Sequence, residues 1–134
     1  MTGLLLVSHS LSLAEGVRDL AAQMGGQGLS IEVAAGAAGG GLGTDGGRVK
    51  EALEKLLEDV EEAVVLMDLG SAYLSAETAL ELLDPEKRER VFLADAPFVE
   101  GAVMAAVVAG TGQGAAAVKK AAEEARNLPK IPKD

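Results

Sequence analysis

The chain has 134 residues, no cysteine and a formal charge of −9. That length suits one domain, and the lack of thiols excludes a disulfide scaffold, a thiolate metal site and a cysteine nucleophile. The negative charge argues against nucleic acid and an anionic membrane surface as partners. Hydrophobic residues make up 49% and aromatics 2%, so the core must come from Leu, Val and Ala, with Phe92, Phe98 and Tyr73 the only rings. No apolar run reaches the roughly 18 residues of a transmembrane helix. The start, Met1 to Val7, lacks the basic and long apolar regions of a signal peptide. The expectation is a soluble cytoplasmic domain. His9 is the one histidine, so imidazole chemistry uses His9 or is absent.

Taken in chain order, Leu4 to Val7 is a short continuous apolar run, as in a parallel strand covered on both faces. Ser8 to Leu11 forms a loop. Ser12 and Glu15 have the capping-box spacing, and Leu13, Val17, Leu20, Ala21 and Met24 recur as the apolar face of a helix. Gly25 to Gly28 ends it. Leu29 to Ala34 reads as a second strand, followed by a glycine-rich stretch from Gly36 to Gly47. Val49, Leu53, Leu56, Leu57 and Val60 mark a second helix. Ala63 to Met67 is a third strand, ending in Asp68-Leu69-Gly70-Ser71.

Ser71 or Ser75 then caps a third helix through Ala76, Ala79, Leu80 and Leu83, which Asp84-Pro85 stops. Val91 to Ala94 is a fourth strand. Pro97 opens a helix with Phe98, Ala102, Val103, Ala106 and Val107 inward. Gly110 to Gly114 turns into a last helix from Ala115 to Arg126. Residues 1–128 form the domain, and 129–134, with their prolines and lysines, read as a frayed tail. The pattern βαβαβαβαα predicts an α/β fold. It is a four-stranded parallel sheet with helices on both faces, in the doubly wound order 2-1-3-4.

Ligands of such sheets sit beyond the carboxyl ends of the strands, where the order reverses. His9, the glycine stretch, Asp68 to Ser71 and Asp95 to Pro97 all fall there. With strands one and three adjacent, Asp68 lies beside His9. The carboxylate would hold one ring N–H and make the other nitrogen the nucleophile. A phosphoryl group on His9 would meet the start of the first helix, where Ser10 stands, and the donors of Gly70 and Ser71 at the start of the third.

Other readings compete. Gly41 to Gly46 satisfies G-x-G-x-x-G between a strand and a helix, which permits a small nucleotide-binding module. Asp45 would set a negative charge against a pyrophosphate there. Asp68, Asp95 and Asp45 could gather a magnesium ion, although acids at strand ends are common. No Walker lysine and no G-x-S-x-G elbow is present.

Leu5-Leu6-Val7-Ser8-His9-Ser10 with Leu13 to Val17, then Gly43-Thr44-Asp45, Asp68 to Ala72 and Ala94 to Gly101, resemble one family in order and spacing. It is the mannose-type IIA domains, and among them the phosphocarrier subunits of phosphotransferase-system-dependent dihydroxyacetone kinases. The resemblance implies a homodimer that takes phosphate from the carrier protein HPr onto His9. It implies transfer to ADP on the nucleotide-binding kinase subunit, in support of dihydroxyacetone phosphorylation. Asp68 matches the orienting aspartate, and Ser71 and Thr44 match pocket-lining positions. No cofactor or metal is then needed on this chain, since ADP and magnesium sit on the partner. HPr is expected on another chain. The alternative is a IIA domain that hands phosphate to the IIB subunit of a sugar transporter. Asp68-Leu69-Gly70-Ser71 favours the kinase branch, because transporter domains tend to carry a longer segment there.

Overall fold

The apolar runs pair as parallel strands. A computed structural model describes residues 1–133, so Asp134, the last residue of the expected tail, lies outside the described residues. Strands β1 (Thr2–Ser8), β2 (Ile31–Ala35), β3 (Glu62–Met67) and β4 (Val91–Leu93) form one sheet in the order β2-β1-β3-β4. All three pairings are parallel, with Val7 opposite both Ala34 and Met67. The expected order is therefore found.

Helices cover both faces. Leu4, Leu6, Val64 and Leu66 pack beneath α1 (Leu11–Gly25), α5 (Phe98–Ala109) and α6 (Ala115–Glu124). Leu5, Val7, Ala63 and Val65 face α2 (Gly46–Asp59) and α3 (Gly70–Leu82). Burial on both sides explains why the central strands read as unbroken apolar runs rather than alternating ones. A one-turn helix, α4 (Pro85–Arg88), lies between α3 and β4 where the sequence reading had only a stop. A 3₁₀ turn (Ala125–Asn127) follows α6. Beyond it, residues 128–133 are in neither helix nor strand, and Lys130 pairs with Glu100.

Local expectations on α1 and α5 need correction: Val107, expected inward on α5, is exposed, because the inward stripe runs through Ala102, Ala105, Ala106 and Ala109. The α1 cap is Ser10, not Ser12: its extended backbone (φ −125°) lets Oγ accept from the Leu13 N–H at 3.2 Å. The buried stripe of α1 is Ala14, Val17 and Ala21, whereas Leu13, Leu20 and Met24 point outward. The cause is close approach. Ala102, Ala105, Ala106 and Ala109 of α5 form the matching surface, and small residues let the two helices draw together.

The contact is tightest at the helix ends. A Cβ on Gly110 would fall 2.2 Å from the Gly25 carbonyl oxygen and 3.2 Å from that of Ala106. Gly110 has φ −63°, so space and not backbone conformation demands glycine. Gly110→Ala should force the ends of α1 and α5 apart and cost roughly 1–3 kcal/mol. Scanning calorimetry should read this as a fall of several degrees in the thermal midpoint.

Candidate functional site

The register brings the site together. Because Val7 lies opposite Met67, the next residues, Ser8 at the end of β1 and Asp68 just past β3, stand side by side. The Asp68 N–H still donates to the Val7 carbonyl at 3.1 Å, which extends the ladder one step. His9 follows at once.

Asp68 is an acceptor surrounded by donors. Its Oδ2 accepts from the Ser8 hydroxyl at 3.0 Å and from the His9 backbone N–H at 2.9 Å. Its Oδ1 accepts from the Leu69 N–H at 2.7 Å and lies 2.9 Å from His9 Nδ1. The Asp68 side chain is only 6% exposed. Burial pushes its carboxyl upward, yet bonds from the His9 backbone, the His9 ring, the Ser8 hydroxyl and the Leu69 N–H outweigh this. The carboxyl stays below its ordinary value, so Asp68 is ionised at neutral pH.

An ionised carboxylate only accepts, so the His9 proton sits on Nδ1 and the lone pair on Nε2. That tautomer follows from the hydrogen-bond network. Ser71 Oγ lies 2.8 Å from Nε2 and donates to it. The ring is held at both ends, with its side chain 25% exposed.

This corrects the expected cap of α3. Neither Ser71 nor Ser75 caps the helix; its cap position is Leu69, which has no side-chain hydrogen bond. Ser71 is turned to His9, and Ser75 Oγ lies 2.7 Å from Thr44 Oγ1. The amides of Gly70 and Ser71 find no acceptor among the described residues. They open α3 beside the ring, where free N–H groups and the helix dipole favour an anion.

The glycine-rich stretch adds the other wall. Its Gly43 N–H donates to the His9 carbonyl at 2.9 Å, which brings Thr44 to the α3 face. Ser10 is near in sequence, but its Oγ serves the α1 cap. Asp45 caps α2 by accepting from the Arg48 N–H at 3.1 Å, so a carboxylate already occupies the helix start that a pyrophosphate would need. Among the described residues no three acidic or imidazole side chains converge to hold a metal. Asp45 is tied to α2, and Asp95 faces Arg126. A cleft of about 340 Å³ opens between the ends of β3 and β4, lined by Asp68, Gly70, Tyr73, Leu93 and Asp95 among others. No helix among the described residues is long and apolar enough to cross a membrane.

Ser8 and Ser75 are the site residues that sequence reasoning missed. Ser8 is fully buried at the last position of β1. A serine closing an apolar strand beside the histidine was the available signal. Ser75 was legible only through its spacing from Ser71.

Fold and site define a class: a parallel α/β domain that grips one imidazole between a buried carboxylate and a helix start. The chain belongs to the EIIA-man family, described as the PTS system fructose IIA component, whose model matches residues 3–119. That span contains His9, Thr44, Asp68 and Ser71. The chain is 50% identical over 115 residues to the phosphoryl donor subunit DhaM of a PEP-dependent dihydroxyacetone kinase from Providencia stuartii. That match covers 84% of this chain and 24% of the relative, so the chain spans about a quarter of that protein. A second DhaM, of PEP-dependent dihydroxyacetone kinase 2 from Listeria innocua, is 41% identical over 107 residues. Here 80% of this chain and 85% of the relative are covered. A crystal structure of a protein of unknown function superposes with a TM-score of 0.80 at 31% identity, covering 97% of this chain and 96% of that one.

Proposed function

We propose that the domain is a phosphohistidine carrier: it accepts a phosphoryl group from phospho-HPr on His9 Nε2 and passes it to ADP on a dihydroxyacetone kinase nucleotide subunit. The observation that carries this is the ring held at 2.9 Å by Asp68 and at 2.8 Å by Ser71. The similarity to DhaM subunits supports the choice of donor and acceptor.

The transfer balances without a cofactor. The Nε2 lone pair attacks phosphorus, an N–P bond forms, and the donor's N–P bond breaks with its electron pair left on the donor imidazole. His9 keeps its Nδ1 proton and becomes cationic. Asp68 faces that new charge and stabilises it. Ser71 sits where the phosphoryl group must arrive, so its hydroxyl turns aside and donates to a phosphoryl oxygen. The Gly70 and Ser71 amides supply further donors, with Thr44 completing the pocket. In the second half-reaction a β-phosphate oxygen of ADP attacks, the His9 N–P bond breaks, and the ring returns to its neutral tautomer. ADP and magnesium belong to the partner subunit. On this reading the domain works in the cytoplasm as a homodimer.

The test is a charging and discharging assay on the whole chain. With phosphoenolpyruvate, enzyme I and HPr, intact mass should rise by one phosphate. Adding the kinase nucleotide subunit and ADP should return it to the starting value. Discharge only to a transporter IIB subunit would move the function to the sugar-transport branch. If HPr leaves the mass unchanged, the carrier reading fails.

A further inference from the structure

We propose that Arg48, Thr44 and Ser75 are positioning residues that hold the glycine-rich loop, residues 36–45, against His9. The inference rests on the carrier reading for its effect on phosphoryl transfer. The structural part stands on the loop's own bonds.

The loop has little else to hold it. Gly36, Gly40, Gly41 and Gly43 all adopt positive φ, and glycine loses the most backbone freedom on ordering. Leu42, its one large apolar side chain, is 80% exposed, so no burial compensates. Within the loop there are only two bonds, from the Ala37 N–H to Gly41 O and from the Gly40 N–H to Ala37 O. Polar ties to its surroundings therefore decide where it lies.

Those ties sit at its two ends. At the entry, Arg48 Nη1 donates to the Ala35 carbonyl at 3.3 Å and Nη2 to the Ala38 carbonyl at 3.4 Å. One guanidinium so clamps both sides of Gly36, whose own N–H donates to the Ser8 carbonyl at 3.2 Å. At the exit, the Thr44 and Ser75 hydroxyls meet at 2.7 Å. Between the anchors, the Gly43 N–H holds the His9 carbonyl at 2.9 Å. The loop thus fixes two consecutive carbonyls at the end of β1, those of Ser8 and His9.

The exit anchor also couples the loop to the imidazole from the other side. Ser71 and Ser75 lie four residues apart on α3, on one helix face. Ser71 grips Nε2 while Ser75 grips the loop. Releasing Thr44 from Ser75 loosens the backbone of His9 and frees the helix face that aims its ring. A displacement of about 1 Å at a reacting group is worth up to about a hundredfold in rate.

The experiment uses the full chain with Thr44→Val, Ser75→Ala, the double variant, Arg48→Met and Arg48→Lys. In the unphosphorylated protein, amide exchange at Gly43 should quicken in Thr44→Val, Ser75→Ala and Arg48→Met. With phosphoramidate as a direct donor to His9, phosphorylation should slow roughly ten- to a hundredfold in these variants. With phospho-HPr, kcat should fall while KM holds, which marks lost positioning rather than lost docking. The double variant should be no slower than Thr44→Val, because Ser75→Ala removes only the bond that Thr44→Val has already broken. Arg48→Lys should recover part of the rate, and Thr44→Ser, which keeps the hydroxyl, most of it. Unchanged Gly43 exchange, or losses at Thr44 and Ser75 that simply multiply, would overturn the proposal. Gly43 exchange is read without any donor, so the loop anchors stand or fall on it even if phosphorylation of the wild type fails.

Discussion

Replacing His9 with glutamine should abolish phosphate uptake, leaving no mass shift with phosphoenolpyruvate, enzyme I and HPr. The effect is total because the chain has one histidine and no cysteine, so no second imidazole or thiolate can take over as carrier nucleophile. The ring is partly exposed and lies outside both core clusters, so its loss opens no cavity in either. Circular dichroism and the thermal midpoint should stay close to those of the native chain. The phosphate on the native chain should be lost in mild acid and survive alkali, as an N–P bond requires. A residual shift in His9→Gln would place the phosphate on another side chain, and an acid-stable one on a hydroxyl; either would sink the assignment.

Asp68→Asn should have the second largest effect, on rate and stability together. The carboxylate accepts four hydrogen bonds, two on each oxygen. An asparagine can accept on one oxygen only, and its NH₂ then faces two donors. One orientation confronts the Ser8 hydroxyl and the His9 backbone N–H; the other confronts the His9 ring and the Leu69 N–H. The unmet donors should cost about 1–3 kcal/mol. Transfer should slow by about a hundredfold or more, because the ring loses both its fixed tautomer and the charge that stabilises its cationic form. Wild-type transfer rates in Asp68→Asn would remove Asp68 from the mechanism.

The same group makes a pH prediction whose sign is set by its lowered pKa. A carboxyl that ionises more readily in the folded than in the unfolded chain adds stability at neutral pH. That contribution is fully present above the ordinary value of 3.8 and is lost as pH falls through the lower folded value. The stability gap between the native chain and Asp68→Asn should therefore narrow only in acid, below pH 3.8. Urea titrations at neutral pH and at successive acid pH values would show it. A gap of constant size would mean that the ionised carboxylate is not what stabilises the site.

Much of this arrangement was legible beforehand. Unbroken apolar runs such as Leu4 to Val7 marked buried parallel strands, because a strand covered on both faces has no wet side. The alternation of strands and helices marked a parallel sheet, and the usual doubly wound order 2-1-3-4 placed Asp68 beside His9. What escaped was decided by contacts between segments far apart in the chain. Ser71 and Ser75 have the composition of helix caps, yet a neighbouring imidazole and the Thr44 hydroxyl claim them across 62 and 31 residues. Ser10 outcompetes Ser12 as cap because its backbone is the one extended at that turn. On α1 the leucines face water, because the small side chains of Ala14, Val17 and Ala21 fill the face where α5 approaches.

The sequence alone determined the fold class, the strand order, the single imidazole and its acidic neighbour. The class and the imidazole are carried by local periodicity and by a count that no folding can change; the order and the acidic neighbour follow from the usual winding of such sheets. Tertiary structure alone decided which imidazole nitrogen is free, which hydroxyl meets it and what holds the glycine loop in place. Those are matters of a few tenths of an ångström between segments that only the closed sheet brings together, and a periodic pattern records the face a residue takes but not the partner it meets there.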